Sequence, residues 1–293
     1  MHARWLSLVS PAPLLLAAFL DGAVCRDATA QTQPLQAEEA TTAPAGTLVV
    51  ESALELIRGE PNFLTGNPRD RWDGPRLRAV YSPFDLVELD LEWTSQITAV
   101  DDPDFGTRRD AGDVVLRTKL RLLDAAEERP ALAVRYELAL PNTSSEHGLG
   151  PDALRMSAQL LLSGRLGRST VHVNAGLAIQ DRPLSPHNQS DFLDYALALE
   201  HPLTERLTLL GEIAGLAGDG SPGADTHAEA RLGFRLDRGS IRWDGAVRRG
   251  LSEADGRWGF TIGLSWRRVP AVEPPPVPGP WVSRPTPDPE PRG

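Results

Sequence analysis

Apolar and polar residues alternate with a period of two along most of this chain. The segment 112–123 places Val114, Leu116, Leu120 and Leu122 on one face and Arg117, Lys119 and Arg121 on the other, and 131–141 repeats the pattern. Alternation of this kind is typical of β-strands whose two faces meet different surroundings. Long strands with one apolar and one charged face predict a transmembrane β-barrel, which has lipid outside and a polar interior.

Successive segments with this alternation cover the middle of the chain. We predict strands at 47–57, 76–82, 84–95, 112–123, 131–141, 152–163, 169–180, 191–200, 206–217, 226–237, 240–249 and 257–267. These are about twelve strands, and bacterial barrels have even strand numbers. The predicted fold is therefore all-β, a transmembrane antiparallel β-barrel of about twelve strands over residues 47–267.

The connections between these strands alternate in length. The long connections are 58–75, 96–111, 142–151, 181–190, 218–225 and 250–256, and the short ones are near Pro83 and at 124–130, 164–168, 201–205 and 238–239. Outer-membrane barrels place long loops outside the cell and short turns in the periplasm. An even strand number then predicts that both termini are periplasmic.

Charged side chains on the polar face must point into the lumen, because a charge on the lipid face costs about 2–4 kcal/mol at the bilayer midplane. The residues predicted to line the lumen are Glu88, Asp90, Glu92, Arg117, Lys119, Arg121, Arg135, Glu137, His172, Asn174, Glu212, Glu229, Arg231, Arg235, Arg242, Asp244 and Arg248.

Opposite charges on neighbouring strands predict a ladder of pairs. The expected partners are Glu92 with Arg117, Asp90 with Lys119, Glu88 with Arg121, and Arg117 with Glu137. This ladder has two compatible interpretations. It neutralises the wall and sets the strand register, or it lines a permeation path with a transverse field.

The N-terminus reads as an export signal over residues 1–30. Arg4 supplies the positive charge, residues 14–20 the apolar core, and Ala28-Thr29-Ala30 a cleavage site. The only cysteine, Cys25, precedes that site, and lipid attachment to it is the less favoured alternative. Residues 31–46 are polar and rich in Pro and Ala, and we expect a flexible periplasmic lead-in with solvated Glu38 and Glu39, in preference to a short plug.

Residues 268–293 form a proline-dense tail that cannot join a sheet, and we expect it to be disordered. The formal net charge is −10 with no basic run, which disfavours nucleic-acid binding. Expected partners are outer-membrane lipids, a small-molecule solute and the barrel-assembly machinery. Many barrels end on an aromatic residue that this machinery reads. This chain ends on Gly293, so Trp266 is the candidate for that part.

A set of short motifs lies between residues 112 and 176. They are Gly112-Asp113-Val114 leading to Lys119, Pro130 to Ala133, Leu140-Pro141, Gly148-Leu149-Gly150 with Asp152, Leu162-Ser163, Leu166-Gly167 and His172 to Gly176. With these motifs the chain resembles the family named for the MetA pathway of phenol degradation. Asn142-Thr143 stands where members often have Thr-Gly. The resemblance implies an outer-membrane barrel that takes up small compounds, often aromatic.

Candidate chemistry is sparse. His172 and Asn174 lie two apart on the lumen face, which favours polar lining over catalysis because no serine motif accompanies them. The other histidines lack metal-ligand spacing, and no cofactor motif occurs, so we expect neither metal nor cofactor. The expected function is a channel or transporter for small solutes and not an enzyme. A plugged barrel with a structural or adhesion role is the alternative, and an outer-membrane hydrolase is third.

Overall fold

A computed structural model describes residues 34–126, 129–183, 188–218 and 225–270. The expected signal peptide, the first residues of the lead-in and nearly all of the proline-rich tail lie outside these ranges. Within them, no helix is long and apolar enough to cross a membrane.

The described residues form β-strands in chain order. They are β1 (Leu48–Pro61), β2 (Pro68–Phe84), β3 (Val87–Thr94), β4 (Ile97–Asp102), β5 (Gly106–Asp110), β6 (Val114–Leu123), β7 (Ala131–Leu140), β8 (Arg155–Leu166), β9 (Ser169–Asp181), β10 (Gln189–Pro202), β11 (Leu207–Ala217), β12 (His227–Arg238), β13 (Ile241–Gly250) and β14 (Trp258–Arg268). All pairings between them are antiparallel.

The strands close into a barrel because β1 pairs with both β14 and β2. Twelve strands form the wall, in the ring order β1, β14, β13, β12, β11, β10, β9, β8, β7, β6, β3, β2. This confirms the predicted fold class. The two remaining strands, β4 and β5, form a hairpin that pairs with the first residues of β2.

The strands extend beyond the predicted segments at the long-loop end. β2 begins at Pro68, eight residues before the predicted start, and the predicted loop 96–111 contains the β4–β5 hairpin. The first residues of β2 are Arg69, Asp70 and Arg71, which are polar on both faces. A strand without an apolar face gives no period-two signal, so the sequence pattern could not reveal this part.

The register between β3 and β6 differs from the predicted one. Glu88 lies opposite Lys119 and Asp90 opposite Arg117, two residues away from the expected partners. The backbone N–H of Gly112 donates to the Thr94 carbonyl at 2.8 Å, and this bond closes the strand pair. A Cβ at Gly112 would lie 2.5 Å from the Thr94 Cβ, so this approach requires glycine. A shift of two residues keeps every side chain on its predicted face.

The two faces of the wall have opposite composition. Large apolar side chains are exposed on the outward positions of every wall strand, from Leu54 on β1 to Ile262 on β14. The inward positions carry the buried charged and polar residues. An apolar belt that surrounds a closed barrel needs lipid around it, so the wall spans a membrane.

We predict that an arginine on this belt destabilises the barrel in proportion to its depth. Leu232 is 58 % exposed at the middle of β12, whereas Leu203 is 51 % exposed in a short turn. Leu232→Arg should lower the free energy of unfolding by about 2–4 kcal/mol and Leu203→Arg by about 0–1 kcal/mol. Reversible unfolding in lipid vesicles measures both, and equal losses would contradict a membrane-spanning belt.

Candidate permeation site in the lumen

All the residues predicted to line the lumen lie on the inward face of the wall, on strands β3, β6, β7, β9, β11, β12 and β13. Most of them are buried, which means that protein atoms fill the lumen at their level. Most of the charged members can be buried because they are paired, since a buried charge without a partner is costly. Asp244 is an exception, because neither of its buried carboxylate oxygens has a hydrogen-bond partner among the described residues.

Arg117 is the centre of one such network. It contacts Asp90 at 3.3 Å, Glu92 at 3.1 Å and Glu137 at 2.8 Å. Its predicted place opposite Glu137 is confirmed, while its direct cross-strand partner on β3 is Asp90 and not Glu92. The three carboxylates surround a guanidinium that can donate several hydrogen bonds at once.

The neighbouring pairs follow the corrected register. Lys119 contacts Glu88 at 2.5 Å, although the prediction placed Asp90 opposite it. Arg121 does not reach Glu88 and instead contacts Asp124 at 2.9 Å, at the short-turn end of the barrel. The ladder therefore exists, with the pairs between β3 and β6 shifted by two residues and the Arg117–Glu137 pair as predicted.

A second network lies on the other side of the ring. Arg248 contacts Glu229 at 2.6 Å, and Arg231 contacts Glu55 at 3.2 Å. Further pairs there join Arg235 to Glu200 at 2.9 Å and Arg242 to Asp237 at 2.7 Å.

Charges on β1 and β2 also face the lumen, although they were not among the predicted lining residues. Glu51, Glu55, Arg76 and Arg78 all face the interior and join these networks. A signal for them exists in the sequence. Glu51 and Glu55 are separated by four residues, the spacing that keeps two residues on one face of a strand.

Residues 34–46 lie inside the barrel, and we call this segment the plug. These residues are therefore not the flexible periplasmic lead-in that their composition predicts. Ala37, Ala40 and Ala43 are fully buried against the wall. Small side chains let the backbone approach the wall closely, and the backbone N–H groups supply donors for inward carboxylates. Composition alone cannot distinguish such a segment from a linker.

The plug crosses the whole lumen. The backbone N–H of Ala37 donates to Glu212 on β11, and that of Ala43 donates to Glu88 on β3 at 2.7 Å. In the ring of twelve strands, β11 and β3 are six positions apart and therefore opposite each other. Between these points the N–H of Ala40 donates to Ser163 Oγ at 2.8 Å.

Asn174 holds the plug at its centre. Its side-chain amide donates to the Glu38 carbonyl at 2.9 Å and accepts from the Glu38 N–H at 2.6 Å. The predicted lumen residue Asn174 is thus a contact to the backbone of the plug.

Glu38 itself is buried among positive charges. Its carboxylate lies 2.6 Å from Arg78, 3.2 Å from Arg135 and 3.9 Å from Lys119. Burial by itself raises the pKa of Glu38, but the nearby cations outweigh burial and hold the pKa well below its ordinary value. The carboxylate is therefore ionised at neutral pH, and Glu38 is not the solvated charge that its sequence context suggested.

His172 also serves the plug. Its Nδ1 lies 2.8 Å from Ser163 Oγ, the atom that accepts the Ala40 N–H, and its Nε2 lies 3.8 Å from Glu200. The sequence contains no motif that connects a serine to His172, but the structure brings Ser163 on β8 into hydrogen-bond contact with it. In the described residues no group of three or more His, Cys, Asp or Glu side chains is arranged to hold a metal ion.

A vestibule lies between the plug and the long loops. One cavity of about 480 Å³ is lined by plug residues 34–38 and by wall residues such as Arg117. A second, of about 490 Å³, reaches the loops at Asn62 and Gly148. The two share the lining residues Arg71 and Arg155 and so adjoin each other.

A buried ion pair holds the long loops over this vestibule. Arg69 contacts Asp102 at 3.0 Å and also donates to the carbonyls of His147 and Gly148. Asn62 donates to Asp102 at 2.9 Å. Burial by itself raises the pKa of Asp102. The hydrogen bonds from Asn62, Arg69 and nearby backbone N–H groups lower this pKa by more than burial raises it, so the net shift is downward.

Comparison with known proteins gives structural matches only. No family model matches the chain, and no curated protein matches it. An outer-membrane channel from Pseudomonas putida F1 superimposes with a TM-score of 0.60 at 15 % identity, covering 81 % of this chain and 99 % of that one. The translocator domain of the autotransporter NalP from Neisseria meningitidis gives 0.51 at 13 % identity, covering 76 % and 89 %.

The porin KdgM, described in complex with disordered oligogalacturonate, gives a TM-score of 0.49 at 7 % identity, covering 74 % of this chain and 98 % of that one. The fold is that of an outer-membrane β-barrel. Membership of the MetA-pathway family stays a prediction, since no family model supports it.

We predict that Arg117 is essential to the wall, whereas Arg121 is not. Arg117→Gln should lower the free energy of unfolding by about 3–5 kcal/mol, because it leaves buried carboxylates without their partner. Arg121→Gln should cost less than about 1 kcal/mol, because the Asp124 side chain is 64 % exposed. Adding Glu137→Gln to Arg117→Gln should cost less than the sum of the single changes, and strict additivity in this double-mutant cycle would refute the network.

Proposed function

We propose that this protein is an outer-membrane channel for small solutes, whose lumen is closed by its own plug and opens when the plug moves. The observation that carries the proposal is the plug's path between opposite walls at β11 and β3. The wall alone leaves a space wide enough for a peptide chain, and its inward face is polar. Emptied of the plug, such a space would hold water and small polar solutes.

The contacts of the plug suit a gate. They are hydrogen bonds and ion pairs, together with small alanine contacts, and each can be exchanged for contacts with water. The plug joins β1 through Gly46, whose φ of +81° is a conformation that glycine adopts without strain. Rotation about this joint would swing the plug towards the short-turn end while β1 stays in the sheet.

A plugged barrel that does not transport is the second candidate. The same contacts favour it, because the backbone of the plug is bonded to Glu212, Asn174, Ser163 and Glu88 in turn. A hydrolase is third. Ser163 and His172 lie together, but the plug covers them, so substrate would reach them only after the plug had moved. Aromatic solutes remain a hypothesis that rests on the family resemblance alone.

Locking the plug tests the channel. Ala37 and Ala214 belong to one buried cluster, so a cysteine pair at these positions is designed to form a disulfide that ties the plug to β11, and mass spectrometry should verify the bond. The reduced double variant should show transient openings in planar bilayers, and oxidation should abolish them. Ala214→Cys alone is the control and should respond to neither treatment.

Two results would contradict the proposal. Equal conductance in the reduced and oxidised states would mean that the plug is not the gate. If the reduced variant, the oxidised variant and the native chain all showed no conductance, the result would favour the plugged barrel that does not transport.

We further propose that the long loops face outside the cell and that both termini are periplasmic. Single cysteines at Asn67, Ser145 and Asn188 lie at the long-loop end, and those at Ala125 and Ser240 lie at the short-turn end. An impermeant thiol reagent on intact cells should label the first group and spare the second. Reversed labelling would overturn the orientation, and a product found soluble in the periplasm would overturn the outer-membrane location.

A further inference from the structure

The cations around Glu38 come from three strands of one side of the wall. Arg78 is on β2, Lys119 on β6 and Arg135 on β7, and all three are buried. They converge on a single carboxylate that belongs to the plug and not to the wall. The wall therefore has a small basic cluster to which the plug adds a carboxylate.

The three cations differ in what else they contact. Lys119 has Glu88 at 2.5 Å, and Arg78 has Asp90 at 2.5 Å, so both keep a wall partner without the plug. For Arg135, the ion pair with Glu38 is the only one within 4 Å among the described residues. Removal of Glu38 would leave Arg135 buried without an ion pair within 4 Å in the described part of the chain, with the Asp194 carboxylate interacting with it only at longer range.

We propose that Arg78, Lys119 and Arg135 form a binding site for the carboxylate of a small organic anion, and that Glu38 occupies this site while the plug is in place. This site would give the proposed channel a class of solute. The inference rests on the proposed function, because the anion reaches the site through the lumen. Arginine forms short, paired hydrogen bonds with planar carboxylates, which makes this cluster suited to them.

The position of the cluster gives a solute access to it. The cavity on the vestibule side of the plug is lined by Glu38, Arg78 and Arg135. A carboxylate entering from the long loops would therefore meet these two arginines at the edge of the plug. It would compete with Glu38 for the same donors, so binding of the solute and release of the plug are coupled.

Chemical rescue tests the site in the full-length chain. Glu38→Ala removes from the side chain a group equivalent to acetate and leaves its space beside Arg135. If acetate fills this space in the folded variant and does not bind the unfolded chain, it should raise the melting temperature saturably. Acetamide has the same shape without the charge, and sodium chloride at equal ionic strength controls for screening, so neither should have this effect. The native protein should not respond to acetate, because Glu38 fills the site.

A second substitution identifies the donor. Adding Arg135→Gln to Glu38→Ala should weaken acetate binding about tenfold or more, because it removes a charge-assisted contact. Adding Arg121→Gln should leave the rescue unchanged, since Arg121 lies on the same strand as Lys119 but contacts Asp124 instead. If Glu38→Ala refolds poorly, its refolding yield in acetate against acetamide gives the same comparison.

The outcomes separate this site from the channel itself. Acetate rescue without conductance would keep the anion site and refute the channel. Conductance governed by the disulfide lock, without acetate rescue, would keep the channel and refute the anion site. Acetate rescue of equal strength in Glu38→Ala with and without Arg135→Gln would also refute the anion site.

Discussion

A charged side chain inside this barrel costs free energy unless an opposite charge lies beside it. Twelve strands put many such side chains into a narrow space, and the resulting pairs determine much of the remaining structure. The register of β3 against β6 brings Glu88 to Lys119 and Asp90 to Arg117. Arg117 then connects β3 to β7 through Glu137, so the charge pairs link neighbouring strands side by side as the backbone hydrogen bonds do.

The same constraint explains why the plug belongs to the fold. Arg135 on β7 lacks an ion-pair partner on the described wall and obtains one from Glu38. The Glu212 carboxylate accepts two backbone N–H groups of the plug, from Gln36 and Ala37. The wall and the plug thus supply each other's hydrogen-bond and ion-pair partners. Without the plug, Arg135 and Glu212 on the wall would lose these partners.

The sequence predicted the parts of this structure that depend on one strand at a time. The period-two pattern determined which face of β6 or β12 meets lipid, because a charge facing lipid is too costly to occur. The register depended on a contact between two strands, Gly112 against Thr94, which no single segment encodes. The plug was missed for a related reason. Its alanines and backbone N–H groups have no periodic signal, and their importance comes only from the wall around them.

The plug precedes β1 in the chain, yet its partners lie on strands from β2 to β12. It cannot make these contacts until most of the wall exists, and the wall is complete only when β1 meets β14. The segment that leaves the ribosome before any strand is therefore among the last to find its place. Its docking depends on a correctly formed barrel, because a slipped register in any one of several strand pairs would misplace a partner that it needs. A docked plug is therefore expected only in a barrel whose strands have paired in the correct register.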